Sequence, residues 1–224
     1  NAIGKCRTQI LGGVQVTCKD CGCIHRIYAS CSNRNCPICP ALKKEIWLVK
    51  REQELLPVTY YHLVFTLPHT LNGWVSCHPS ELYRLLFESV WHTLNTFGRA
   101  PKRLDGQLGV MAVLHTWGQT LTRHVHLHCL IPGGALSQTG QWHAASSTYL
   151  FPVKALSRHY RGRMVSQLRQ ARNAGLFDFI DDSRFDQKLL QLMNVEWNVY
   201  AKAGLSFMDT KQGQYVDQDY GTQL

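Results

Sequence analysis

Apolar and polar positions alternate along much of the chain beyond residue 57, and the period tells strands from helices. Residues 58–67 (VTYYHLVFTL) set Tyr61, Leu63, Phe65 and Leu67 on one face and predict a strand that Pro68 ends. Residues 80–97 carry Leu82, Leu86, Val90, Leu94 and Phe97 at helical spacing, between Ser80 and Gly98, and predict a helix with a core-facing stripe. Residues 108–116 and 124–131 read as strands, and the short Gly-containing loop 118–123 between them predicts an antiparallel hairpin. After a Gly/Ser/Thr-rich loop (133–148), Leu156, Tyr160, Met164 and Leu168 stripe a helix over about 153–174, which Gly175 caps. Residues 183–199 predict a further helix and strand. The last twenty residues are polar, rich in Gly and Gln, and expected to be mobile. Upstream, residues 41–56 read as an amphipathic helix with Ile46, Val49 and Leu56 among its apolar positions, stopped by Pro57. Strands and helices alternate irregularly, with at least one hairpin. The expected fold is α+β, a central antiparallel sheet with flanking helices, plus a small N-terminal module.

The strand at 124–131 carries the strongest chemical signal. Alternation puts His124, His126 and His128 on one face and Val125, Leu127, Cys129 and Ile131 on the other. Two imidazoles two residues apart on one strand face can share a metal ion. The hairpin sets His115 opposite about Val125 or His126, which makes it a third ligand from the neighbouring strand, with Gln119 in the loop as the fallback. Such an ion, with open positions, acts as a Lewis acid on a phosphoryl oxygen.

Residues 1–40 show little periodicity but hold seven of the nine cysteines. Cys18-x-x-Cys21 and Cys36-x-x-Cys39 lie fourteen residues apart, close to the spacing of a four-sulfur zinc site. Cys23, Cys31 and His25 are spare ligands, and a mixed set of Cys31 with Cys36 and Cys39 stays open. So short a segment buries too little apolar area to fold alone, so the ion supplies folding free energy. The domain expectation is a zinc-binding module over 1–40, a linker helix over 41–57, the main domain over 58–203 and a tail over 204–224.

Composition adds a partner. The chain has 24 Lys+Arg against 15 Asp+Glu, a net charge of +9, which favours an anionic partner, nucleic acid above all. Arg158, Arg161, Arg169 and Arg172 gather on one face of the helix over 153–174, where no acid of that face balances them, and predict contacts to a phosphate backbone. No run is long and apolar enough to span a membrane, no secretion signal opens the chain, and no phosphate-binding Gly-rich loop occurs.

His126-Leu127-His128 resembles the His-hydrophobic-His (HUH) motif of rolling-circle nucleases, and the chain as a whole resembles rolling-circle transposases of the IS-ninety-one type. The resemblance covers about residues 5–203. It rests on the run Ser30-Cys31-Ser32-Asn33-Arg34-Asn35-Cys36-Pro37-Ile38-Cys39, the segment Tyr61–His69, Leu114-His115-Thr116-Trp117-Gly118-Gln119, Phe151–Ser157 and Val199-Tyr200-Ala201-Lys202, in that order and spacing. It implies a zinc-binding domain followed by an HUH domain over 58–203. It also implies Mg²⁺ or Mn²⁺ at the histidines and single-stranded DNA at element ends as partner. A tyrosine would then attack the scissile phosphate to give a 5′-phosphotyrosine. The bacterial cytoplasm is the implied location.

The resemblance departs beyond Lys202. The family's nucleophilic tyrosines sit on a helix in a Tyr-x-x-x-Tyr-like context followed by basic residues, and no such pattern follows Gly204. Either Tyr215 and Tyr220 serve as catalytic substitutes, or the catalytic helix is missing from a truncated or frame-shifted copy. The chain also opens at Asn1 with no Met, so its N-terminus is expected to be incomplete. Two other readings compete. In a non-catalytic zinc-ribbon DNA-binding protein the histidines would be structural. A metal-dependent hydrolase using activated water would want an Asp or Glu near the histidines as base, and none is apparent.

Overall fold

Strand β3 (Tyr60–Thr66) is the spine of the larger fold, because it pairs on both sides. A computed structural model describes residues 2–118, 122–145, 150–178 and 180–205. In it, β4 (Met111–Trp117), β5 (Arg123–Pro132), β3 and β8 (Val199–Leu205) form an antiparallel sheet in the order β4-β5-β3-β8. The period-two pattern decides the faces. On β5, Val125, Leu127, Cys129 and Ile131 are fully buried, while His124, His126 and His128 between them are half-buried. Tyr61, Leu63 and Phe65 of β3 and Val199 of β8 are buried as well.

Beyond the short helix α2 (Asn72–Cys77), two long helices share that core. Helix α3 (Pro79–Gly98) contributes Leu82, Leu86, Val90 and Leu94, and α4 (Val153–Asn173) contributes Leu156, Tyr160, Met164 and Leu168. Tyr160 meets Phe65 edge-on at 5.3 Å. Each fully buried side chain of this kind is worth about 1.5–3 kcal/mol of transfer free energy. The sheet is therefore rigid from its apolar face, and the histidines stand on a preformed support. Helix α5 (Asp182–Asn194) is capped by Asp181, whose carboxylate accepts from the Arg184 N–H at 3.0 Å, and leads into β8. The loop after β5 holds a small hairpin, β6 (Gly134–Leu136) with β7 (Trp142–Ala144). A Cβ at Gly134 would lie 2.4 Å from the Trp142 ring, so this strand position needs glycine.

The chain divides into two compact units, Asn1–Leu56 and Pro57–Leu224. The first holds the hairpin β1 (Gly13–Thr17) with β2 (Ile24–Tyr28) and helix α1 (Cys39–Gln53). Residues 41–57 are thus mostly part of the first unit, not a linker between units. The helix also ends at Gln53, which leaves Leu56 outside it, and Ile46 and Val49 are about half exposed. The expected amphipathic stripe buries little.

Candidate metal centres

Four sulfurs define the first unit. Cys6, Cys31, Cys36 and Cys39 hold their Sγ atoms within 4.8 Å of one another. Cys6 and Cys39 stand 3.3 Å apart and Cys31 and Cys39 3.6 Å apart, near the edge of about 3.8 Å that a tetrahedron of 2.3 Å zinc–sulfur bonds requires. Backbone geometry gathers them across a long loop. Arg7 N–H bonds to the Ala29 carbonyl and Ala29 N–H to that of Gly12, so the β1–β2 hairpin closes with Cys6 beside Cys31. Cys39 opens α1. Its thiol is held down to about 6 by hydrogen bonds from Cys6 first and then Cys31 and Cys36, so a thiolate is ready at neutral pH. All four are free thiols, and the set suits structural zinc.

This corrects the expected ligand set. Cys36 and Cys39 are in the cluster, but their partners are Cys6 and Cys31 rather than Cys18 and Cys21. Those two sit with Cys23 in the turn of the β1–β2 hairpin, where Cys18 N–H bonds to the Cys23 carbonyl at 2.9 Å and Gly22 N–H to the Cys18 carbonyl at 3.0 Å. There the Cys23 backbone and the Cys18 and Cys23 thiols lower the pKa of Cys21.

The second cluster lies on the polar face of the sheet. The register sets His115 of β4 directly across from His126 of β5, with His128 diagonal to His115. The three rings offer ligand nitrogens that all lie within 4.8 Å of one another. His126 Nδ1 donates to the His124 carbonyl at 2.9 Å, which leaves its Nε2 lone pair for an ion. His128 Nε2 is buried and lacks a hydrogen-bond partner. Burial, then His115, His126 and His62, push the pKa of His128 down to about 4, and burial likewise lowers that of His126. Neutral imidazoles in this array are what a divalent cation needs. Beside it, His69 Nε2 and His124 Nδ1 are 2.7 Å apart. Gln119, Tyr215 and Tyr220 lie outside the described residues.

The arginines of α4 split into two kinds. Arg158 and Arg169 are exposed. Arg161 donates to the Val195 carbonyl at 2.8 Å. Arg172 donates to the Phe177 carbonyl, pairs with Asp182 at 2.6 Å and lies over the Phe185 ring at 5.4 Å. The expected unbalanced basic face is therefore half occupied, because the Val195 carbonyl and Asp182 of the next helix reach back to Arg161 and Arg172.

Comparison with known proteins now bears on both clusters. A family model described as "Transposase zinc-binding domain" matches residues 1–67, and one described as "Putative transposase" matches residues 109–216. The chain belongs to the IS-ninety-one-type transposases. Its relatives include "Putative transposase y4qJ" of Sinorhizobium fredii, 40% identical over 90% of this chain and 52% of the relative. Another is "Transposase for insertion sequence element IS801" of Pseudomonas savastanoi pv. phaseolicola, 32% identical over 69% of this chain and 36% of the relative. The chain thus spans about half the length of one relative and about a third of the other. No solved structure matches it.

Two residues at these clusters lie outside the ligand motifs of the sequence. Cys6 stands outside any Cys-x-x-Cys pair, so its only signal was an extra thiol near the start. His62 carried a better one: it shares a strand face with Val64 and Thr66, opposite Tyr61, Leu63 and Phe65, and hence the face of the other histidines. None of the described helices is long and apolar enough to cross a membrane.

Proposed function

We propose that this chain is the DNA-processing part of a rolling-circle transposase, acting in the bacterial cytoplasm on single-stranded DNA at element ends. The cluster of His115, His126 and His128 carries this reading. Three imidazoles converge on the polar face of the sheet, and one buried nitrogen lacks a partner. A Mg²⁺ or Mn²⁺ ion held there would polarise the scissile phosphate and offset charge as it develops. Burial first, then neighbouring histidines, hold His126 and His128 below the ordinary imidazole pKa, which favours the unprotonated ligands such an ion would need. Arg158 and Arg169 are placed in contact with the phosphate backbone, and the four-sulfur zinc cage holds the N-terminal module in shape. The nucleophile is a tyrosine hydroxyl. Its oxygen bonds to phosphorus, the 3′-oxygen leaves with its electron pair and takes up a proton, and a 5′-phosphotyrosine results.

The test is to incubate the full chain with single-stranded element ends and Mn²⁺. A covalent protein–DNA adduct that disappears in His126→Ala is the expected result. DNA bound without any adduct would assign cleavage to a segment beyond this chain or mark the copy as inactive. Turnover without an adduct would favour activated water instead. If His126→Ala and His128→Ala left DNA binding and the metal content unchanged, the histidines would be structural, as in a zinc-ribbon DNA-binding protein.

A further inference from the structure

We propose that His62 is a positioning residue for the histidine centre: it accepts a hydrogen bond from His128 Nδ1 and thereby fixes the His128 tautomer that presents Nε2 to the ion. This inference rests on the metal reading above and names a fourth histidine for it.

His62 comes from β3, which pairs with β5 so that Val64 faces His128 and His62 faces Leu130. His62 is therefore the diagonal neighbour of His128 on the polar face. His62 Nε2 and His128 Nδ1 are 2.8 Å apart, and the two rings are only 6° from parallel. The contact is a hydrogen bond of ordinary length. One proton is shared, so only two arrangements exist when both rings are neutral. If His62 donates, the His128 proton sits on Nε2, where a buried N–H meets no acceptor and cannot ligate a cation. If His128 donates, its Nε2 carries a lone pair aimed into the space it shares with His115 and His126. Only the second arrangement gives the buried nitrogen a use. His126 is oriented in the same manner by the His124 carbonyl. The two ligands on β5 thus each have a dedicated acceptor behind them, one from the backbone and one from a side chain. Loss of such an outer partner weakens metal binding by about 10- to 100-fold in comparable sites.

The experiment uses the zinc-loaded full chain, with Mn²⁺ as the probe. In the metal-free histidine site of the unaltered protein, ¹⁵N NMR should find His128 protonated at Nδ1 and bare at Nε2; the opposite tautomer overturns the proposal. Mn²⁺ affinity, read from the EPR signal of free ion, should fall about 10- to 100-fold in His62→Phe, which keeps a ring but loses the acceptor. His62→Gln offers an acceptor oxygen and should recover most of that loss. Unchanged affinity in His62→Phe, or a Gln variant as weak as the Phe variant, rejects the assigned role. Protection of the Leu63 and Leu127 amides from hydrogen exchange reports whether the sheet is intact in each variant. His128→Ala separates the two claims. If it abolishes Mn²⁺ binding while His62→Phe does nothing, His62 alone is misassigned. If His128→Ala still binds Mn²⁺ normally, the metal reading of the histidines falls as well.

Discussion

In the first unit the buried side chains among the described residues are Cys6, Cys36 and Cys39; in the second they are mainly leucines, valines and aromatics drawn from the sheet and from α3, α4 and α5. Both units hold a cluster of ligand atoms within 4.8 Å of one another. The order of cause is reversed between them. In the first, the ligands are the core, and the hairpin and α1 have little apolar area to hold them without an ion. Val14, Val16, Ile24 and Ile27 of the hairpin are all more than half exposed. In the second, an apolar core already exists, and the ligands are fixtures on its far side. Under the proposed function, a metal would be a folding requirement in one region and a functional guest in the other.

The largest expected effect follows from the sulfur core. Cys39→Ser, or a strong chelator, should unfold residues 1–56, because structural zinc contributes about 10–16 kcal/mol of apparent binding free energy in small modules. Hydrogen exchange would show the loss of protection there, with the sheet amides of residues 60–66 and 125–131 unaffected. Melting of the sheet as well would break the comparison, since the module would then be part of one cooperative fold.

The reverse experiment is Leu127→Ala, which should cost the second unit about 2–5 kcal/mol by cavity formation. Bound zinc should stay at the sulfur cage, measured as metal content alongside the denaturant midpoint. His128→Ala should do the opposite within the same strand and abolish Mn²⁺ binding with little change in the midpoint.

Arginine variants make a smaller test on α4. Arg172→Ala should lower stability by about 1–3 kcal/mol, because it strips partners from Asp182 and the Phe177 carbonyl. Arg158→Glu with Arg169→Glu should leave the melting temperature alone. The pair should instead lower the salt slope of DNA binding by about 2. An unchanged slope would remove α4 from the DNA contact surface.

A further effect is on pH. His128 titrates at about 4 in the folded chain against an ordinary 6.5. Between those values the unfolded chain takes up a proton that the folded chain refuses. The contribution of neutral His128 to the stability of the metal-free second unit is therefore fully present above 6.5 and is lost progressively as pH falls toward 4. Melting temperatures at pH 7 and pH 5 should differ, and His128→Asn should narrow the difference.

Periodicity made most of the second unit legible before any coordinates. The alternation in β5 and the stripes Leu82–Leu94 and Leu156–Leu168 each reflect burial on one face of one element, and the chain writes that locally. The match over the ordered segments from Ser30 to Lys202 likewise identified the family. The same local logic misled where ligands are shared between distant segments. Cys18-x-x-Cys21 looks like half a zinc site, yet Cys6 and Cys31 fill those places, because a closed hairpin brings together residues 25 apart. Arg172 looks solvated until Asp182 arrives from the next helix.

The amino-acid order alone determined which residues alternate, which face of each strand is apolar, and that thiols and imidazoles sit in two separate stretches. Only the tertiary structure decided which four sulfurs meet, that His115 faces His126, and that His62 stands behind His128. The reason is geometric. Side-chain period is a property of a single strand or helix, whereas strand register and loop closure depend on contacts between segments whose separation along the chain carries no trace of the pairing.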